Sequence, residues 1–176
     1  MIQDDLPTLF AYTRWADTRM LETIGSLDPE RYTREPAPGW SSVRATLVHM
    51  ASVVWAWSSQ LDGTTIRAFP DEESHPAFED AAKLLHEAYD TCDRLLAAAT
   101  PEILASIWET HDPRGNPRRL PFWAVYRHLA NHQTYHRGQL ASKLKRLGVD
   151  APFTDFVFYV LEQVPQPEGS PPAIPR

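Results

Sequence analysis

A chain of 176 residues, 43% hydrophobic and 23% charged, fits one soluble globular domain able to bury a real core. Its formal net charge of −6 argues against nucleic acid as a partner, because phosphate binding is driven by clustered Lys and Arg. Cys92 is the single cysteine and Asp4 and Asp5 stand where an export signal needs positive charge, so the expected location is the cytoplasm. The longest apolar run, "LVHMASVVWAW", is too short and too interrupted to span a bilayer, so no membrane association is expected.

Four helical stretches follow in chain order. The first starts at "DDLP", with Asp5 as N-cap and Pro7 in the first turn, and stops at Gly25; Leu6, Leu9, Phe10, Thr13, Ala16, Met20 and Ile24 recur at helical spacing. The second follows "PGWSS" and runs to Leu61, with Val43, Leu47, Met50, Val54, Trp57 and Leu61 on one face. The third follows "SHP" and carries the stripe Phe78, Ala82, Leu85, Tyr89, Cys92 and Leu96. Before the fourth, "SIWETHDPRGNPRRL" holds a weak signal for a short hairpin around "PRGN". The fourth helix starts near Pro121 and ends at Leu147, before Gly148. The expected fold is all-α, a four-helix bundle over residues 1–163 with long Pro-rich connections. The remaining tail, 164–176, has many prolines and almost nothing to bury, so it is expected to be extended or disordered.

The fourth helix carries the main chemical signal. In "YRHLANHQTYHRGQL" the residues His128, His132 and His136 recur every four positions and fall along one helical stripe. Relative to the apolar centre of this helix, His136 lies about 35° away, His132 about 75° and His128 about 115°. His136 is thus expected to point inward, His132 to flank it, and His128 to face solvent. His128 and His136 are also about 12 Å apart along the axis, too far for one ion. An i, i+4 pair brings two imidazoles onto one ion, which selects His132 and His136. A third ligand must come from another helix. His49 is the histidine set in an apolar helix; His86 sits among charged residues, and His75 and His111 lie in Pro-rich loops. The trio is therefore His49, His132 and His136. Each element has a bland alternative, since an isolated histidine pair is a weak motif and a lone core histidine is usually structural.

Other chemistries are poorly supplied. HExxH, GxSxG, the P-loop and GxGxxG are absent, and no ExxH pair falls on a helix. Cys92 lies in the apolar stripe of the third helix, where a thiol is inert packing.

The segments "LFAYTRWADTRML", "PGWSSVRATLVHMASVVWAW", "HLANHQTYHRGQL" and "LGVDAPFTDFVFY" together resemble the DinB/YfiT-like family of metalloenzymes, which is distinct from the DNA polymerase of similar name. The resemblance runs from Leu6 to Leu161. It implies a bundle in up-down-down-up order with one divalent ion, zinc, nickel, iron or manganese, held by three histidines. Carried over residue by residue, these are His49, His132 and His136. Family relatives include transferases that use mycothiol or bacillithiol, and many members have no known activity.

Three neutral imidazoles leave a divalent ion uncompensated and with an open position, as in catalytic zinc sites. Such a site can activate a low-molecular-weight thiol for transfer to a small electrophile, or water for hydrolysis. A non-catalytic metal-binding stress-response module is the alternative from another class. Thiol transfer is the expectation, because the chain offers no nucleophile or base of its own near the histidines. Arg127, Arg114, Arg118 and Arg119 are candidates to hold cosubstrate carboxylates, and Arg137 is read as pointing away from the metal. Trp123, Ala130, Thr134, Gly138 and Ala141 line the side of the fourth helix opposite its apolar face, where either the third helix packs within one subunit or a second copy does; the family resemblance favours the homodimer.

Overall fold

The stripes read from the sequence form helices because each buries its apolar side against the others. A computed structural model describes residues 5–112, 115–165 and 167; most of the Pro-rich tail lies outside them. In chain order the elements are α1 (Leu6–Gly25), α2 (Pro29–Thr33), α3 (Val43–Leu61), α4 (Phe78–Ala98), α5 (Pro101–Ala105), β1 (Ile107–His111), β2 (Pro117–Pro121), α6 (Phe122–Arg146) and α7 (Phe156–Gln163). The four long helices agree with the four periodic stretches. Among them α3 packs on α4 and α6, and α1 packs on α6 and α4.

Local signals explain most boundaries. Ser42 caps α3 by accepting from the Ala45 N–H at 3.0 Å. Asp80 reaches back to the Ala77 N–H at 3.1 Å and closes the start of α4. Asp5 precedes α1 but makes no side-chain cap; its carboxylate is taken by Arg127 of α6, at 2.7 and 3.0 Å. A charged partner outcompetes an uncharged N–H for the same oxygens.

The structure departs from an all-α fold at one place. β1 and β2 form an antiparallel hairpin, from Ile107 opposite Pro121 to His111 opposite Pro117. Gly115, at φ 83°, helps turn the chain between them. The β-branched and aromatic residues of "IWET" supply the strand propensity, and Thr110 ties the hairpin to α3 through Gln60 at 2.6 Å. α7 was not read as a helix at all. None of its residues is buried, and it is held to α1 by Trp15 bonding Glu162 at 2.8 Å and by Tyr12 edge-on to Phe156. Among the described residues, no helix is long and apolar enough to cross a membrane.

Phe10 stands edge-on to both Tyr89 and Tyr126, joining α1, α4 and α6 at the core. Below this aromatic layer the core is polar. Asp17, 1% exposed, receives Arg137 Nη1 at 2.7 Å, the Tyr89 hydroxyl, and Gln133 Nε2 at 2.8 Å. Arg137 is 3% exposed and its other terminal nitrogen donates to Thr134 at 2.8 Å. A buried carboxylate survives there because three donors and an opposite charge replace its water. Arg137→Met should therefore destabilise the protein by about 3–5 kcal/mol, since it strands Asp17 in the core. The double variant Asp17→Leu/Arg137→Met should recover much of that loss in urea unfolding.

Candidate metal centre

α3 and α6 meet edge to edge, and the residues along the seam are histidines. His49 comes from α3, and His132 and His136 are one helical turn apart on α6. One ring nitrogen from each lies within 4.8 Å of the others. His132 Nε2 and His49 Nε2 are 3.2 Å apart, and the His132 and His136 rings are 4.3 Å apart between centroids. The three sequence candidates are brought together.

Their placement is shallower than the helical wheel implied. His132 and His136 are half-buried and His49 is exposed. The residues of this stretch that face inward are Gln133 and Arg137. The wheel took the apolar centre of α6 as the inward direction. The polar core around Asp17 draws the helix round, so each histidine sits one residue, about 100°, away from a buried polar neighbour.

Those neighbours hold the imidazoles. His132 Nδ1 lies 3.3 Å from Gln133 Oε1, and His136 Nδ1 lies 2.8 Å from Gln139 Oε1. An amide oxygen only accepts, so each Nδ1 carries the proton and each Nε2 keeps its lone pair for a ligand. Gln133 is itself fixed by donating to Asp17 and, at 3.3 Å, to Tyr89. Sequence reading missed Asp17, Gln133 and Gln139. The available signal was an acid interrupting the apolar stripe of α1, with an arginine four residues after Gln133.

Electrostatics favour neutral rings. Partial burial pushes His132 down to about 4, opposed by its bond to Gln133 and reinforced by the charges of His136, His49 and His128. His49 is lowered by burial and then by His136. Neutral imidazole is the form that binds a metal. The donor set fits a divalent ion: three convergent ring nitrogens, two of them with the opposite nitrogen anchored. These residues could hold zinc, nickel or iron alike, because imidazole serves all three.

The remaining candidates lie elsewhere. His128 is exposed, stacks on Trp57 with centroids 5.3 Å apart, and is outside the group of three. His86 is exposed, and His75 bonds Ser74. Arg127 is paired with Asp5, Arg118 with Asp112 and Arg119 with Glu109. Arg137 belongs to the core pair, and Arg114 lies outside the described residues. Cys92 is fully buried, and its thiol is pushed up to about 12, first by burial and then by Asp93.

Two grooves of similar size open on the surface. One, about 530 Å³, lies between the hairpin and the loop after α3; neither groove is lined by the three histidines themselves. The other, about 520 Å³, is walled by Trp40, Ser41, Tyr135, Gln139 and Lys143, among others. It begins beside His136, whose ring touches Tyr135 at 5.0 Å between centroids and bonds Gln139. The second groove is joined to the histidines through two of its lining residues, Tyr135 and Gln139, which touch His136.

Comparison with known proteins bears on the family and the fold. The DinB family matches residues 1–169. Protein DinB of Bacillus subtilis (strain 168) is 24% identical over 157 residues, which cover 86% of this chain and 91% of that protein. Crystal structures of two DinB-like proteins share the fold. One, from Bacillus subtilis, has a TM-score of 0.60 at 15% identity, with 84% of this chain and 97% of that chain covered. The other, from Bacillus cereus ATCC 10987, has a TM-score of 0.57 at 20% identity, with 80% and 91% covered. The chain belongs to the DinB family.

Proposed function

We propose that this protein binds one divalent metal ion through His49, His132 and His136 and uses it to transfer a low-molecular-weight thiol to a small electrophile. The observation that carries this reading is the convergence of three imidazoles near an open groove. A divalent ion held there would supply Lewis acidity, lowering the pKa of a bound thiol or water. The chain's own residues keep the site in order. Gln133 and Gln139 fix the tautomers and ring orientations, and Asp17 and Tyr89 fix Gln133. Cys92, shut in the core, offers no competing nucleophile. Hydrolysis by activated water is the second reading, favoured by the same open donor set.

The bundle reading goes with the site. An up-down-down-up order is supported by Asp5–Arg127 and Asp17–Arg137, which run α1 alongside α6 in the same direction. It is supported too by Trp57 beside His128 and Thr46 beside Lys143, which run α3 against α6, and by Arg14 on Asp90 with Gly25 against Phe78, which run α1 against α4. A homodimer remains part of the proposal. Among the described residues nothing lies within 4 Å of a Cβ built at Gly138, so the third long helix does not pack against it and that side of α6 stays open to a second copy. Phe153, Phe156, Val157, Val160 and Val164 are exposed on and around α7 and offer such a copy a second surface. Light scattering at micromolar concentration should give twice the chain mass; a monomer mass removes the dimer.

Metal analysis tests the site. Alanine at His49, His132 or His136 should abolish most metal binding, while His128→Ala retains it. Gln139→Ala should weaken binding by about 10–100-fold with the ligands intact. Metal retained in full by His136→Ala would refute the assignment. Activity is tested by incubating metal-loaded protein with mycothiol or bacillithiol and monobromobimane. Conjugation above the uncatalysed rate and lost in His132→Ala is the expected outcome; ester or amide hydrolysis without conjugation would establish the second reading instead.

Acid should act in a defined window. His132 and His49 take up protons less readily in the folded chain than in the unfolded one. The unfolded state thus binds more protons below about pH 6.5. Stability of the metal-free protein should be flat above that pH and fall as pH drops toward the His132 value of about 4. Urea midpoints across this range should show the decline, and His132→Ala should flatten part of it.

A further inference from the structure

Two helical turns beyond His136, at the other end of the groove, α6 carries a buried lysine. Lys143 is 4% exposed. Its ammonium donates to Ser41 Oγ at 2.7 Å, to the Ser42 carbonyl at 3.1 Å, and to Thr46 Oγ1. All three acceptors are neutral. No carboxylate of the described residues forms an ion pair with it, and the nearest acid that it feels, Glu72, is already bonded to Arg44 at 2.8 Å. Its other surroundings add positive charge. The N-terminus of α3 starts at Ser42, with its partial positive charge, and Arg146 stacks over Trp40 at 4.5 Å from the ring centroid. α6 contains no Asp or Glu along its 25 residues.

A desolvated ammonium without a counter-charge is costly, and burial lowers the Lys143 pKa with only Glu72 pulling it back. Yet Lys143, Ser41 and Trp40 all line the groove that begins at His136. Seven residues separate Lys143 from His136, about 10 Å along the helix and close to the same face.

We propose that this groove binds a small molecule by its carboxylate, held by Lys143 and the Ser41 hydroxyl, with the reacting end about 10 Å away at the histidines. The incoming carboxylate displaces Ser41 Oγ from the ammonium, and the exposed Ser41 hydroxyl turns to donate to it. Tyr135 lines the groove near His136, and Trp40, packed on Arg146, lines it near Lys143. Gly138 keeps the floor open, since a Cβ there would meet nothing within 4 Å. The carboxylate end stands on Lys143 and the groove; only the nature of the reacting end, a thiol, rests on the proposed function.

The test uses 8-sulfanyloctanoate, whose extended chain separates thiol from carboxylate by a comparable length, against its methyl ester. Affinities are measured by calorimetry on the full chain, metal-free and loaded with Co²⁺, together with the thiolate-to-cobalt absorption band. The acid should bind about tenfold more tightly than the ester in both forms, the size of a charge-assisted hydrogen bond. Lys143→Met should bring that ratio to about one. Gly138→Leu should weaken both probes by filling the groove, in a protein that folds at least as well, because leucine favours helix over glycine. Equal affinity for acid and ester in the unaltered chain overturns the proposal, as does a preference unchanged in Lys143→Met or binding unaffected by Gly138→Leu. A carboxylate preference without a cobalt–thiolate band upholds the groove and removes the thiol reading instead.

Discussion

The buried pair of Asp17 and Arg137 decides how α6 is turned, and everything on that helix follows from it. A carboxylate at 1% exposure must have its oxygens filled, and three donors from two helices converge to do so. Two of those donors, Gln133 and Arg137, are four residues apart on α6 and so share one direction. His132 and His136 precede them by one residue each. The inward polar stripe and the histidine stripe are therefore parallel and about 100° apart. Once Asp17 fixes the first, the second can only face the seam with α3. A rotation that buried the histidines fully would withdraw Arg137 from Asp17 and leave a bare charge in the core.

The same constraint sets how wet the histidines are. Partial desolvation lowers His132 and His49 and so favours their neutral forms, yet the site remains in contact with solvent. Full burial would favour neutrality further but close the route for a ligand. The link from Asp17 through Gln133 to His132 adds stiffness at low cost, since every polar atom along it serves a neighbour. His136 is held separately through Gln139, which also walls the groove. One histidine is thus braced from the core and the other from the surface.

The four long helices and their register were legible in the sequence because apolar spacing carries that information directly, and the chain's likeness to one family rested on the same segments. His132, His136 and His49 were chosen from spacing and context, and the fold does bring those three rings together. Depth did not: the wheel assumed that apolar residues mark the inward direction, whereas Gln133 and Arg137 mark it here. Arg137 was read as turned from the histidine side, and it is buried against Asp17, but that partner sits on a different helix and has no local signature. The hairpin gave a weak signal because only "IWET" has strand character, and the second strand, "PRRLP", begins and ends in proline. α7 was hidden because its apolar residues cover no core. Arg127, Arg118 and Arg119 looked available in the sequence, and each has a carboxylate partner that only the fold brings near.

An acidic chain of net charge −6 that concentrates its cations on an acid-free helix creates a local field opposite to its overall one. Under the proposed reading a divalent ion and Lys143 would both stand on the same edge of α6, about 10 Å apart. With Lys143 buried, their mutual repulsion is about 3 kcal/mol for charges of two and one at that separation and an effective dielectric of about 20. The two positive centres therefore burden each other in an empty groove, and a ligand with an anionic group at each end would relieve both while a neutral or cationic one would relieve neither. Selectivity in such a site needs no deep pocket. It follows from two fixed charges on one rigid helix and the length of chain that spans them.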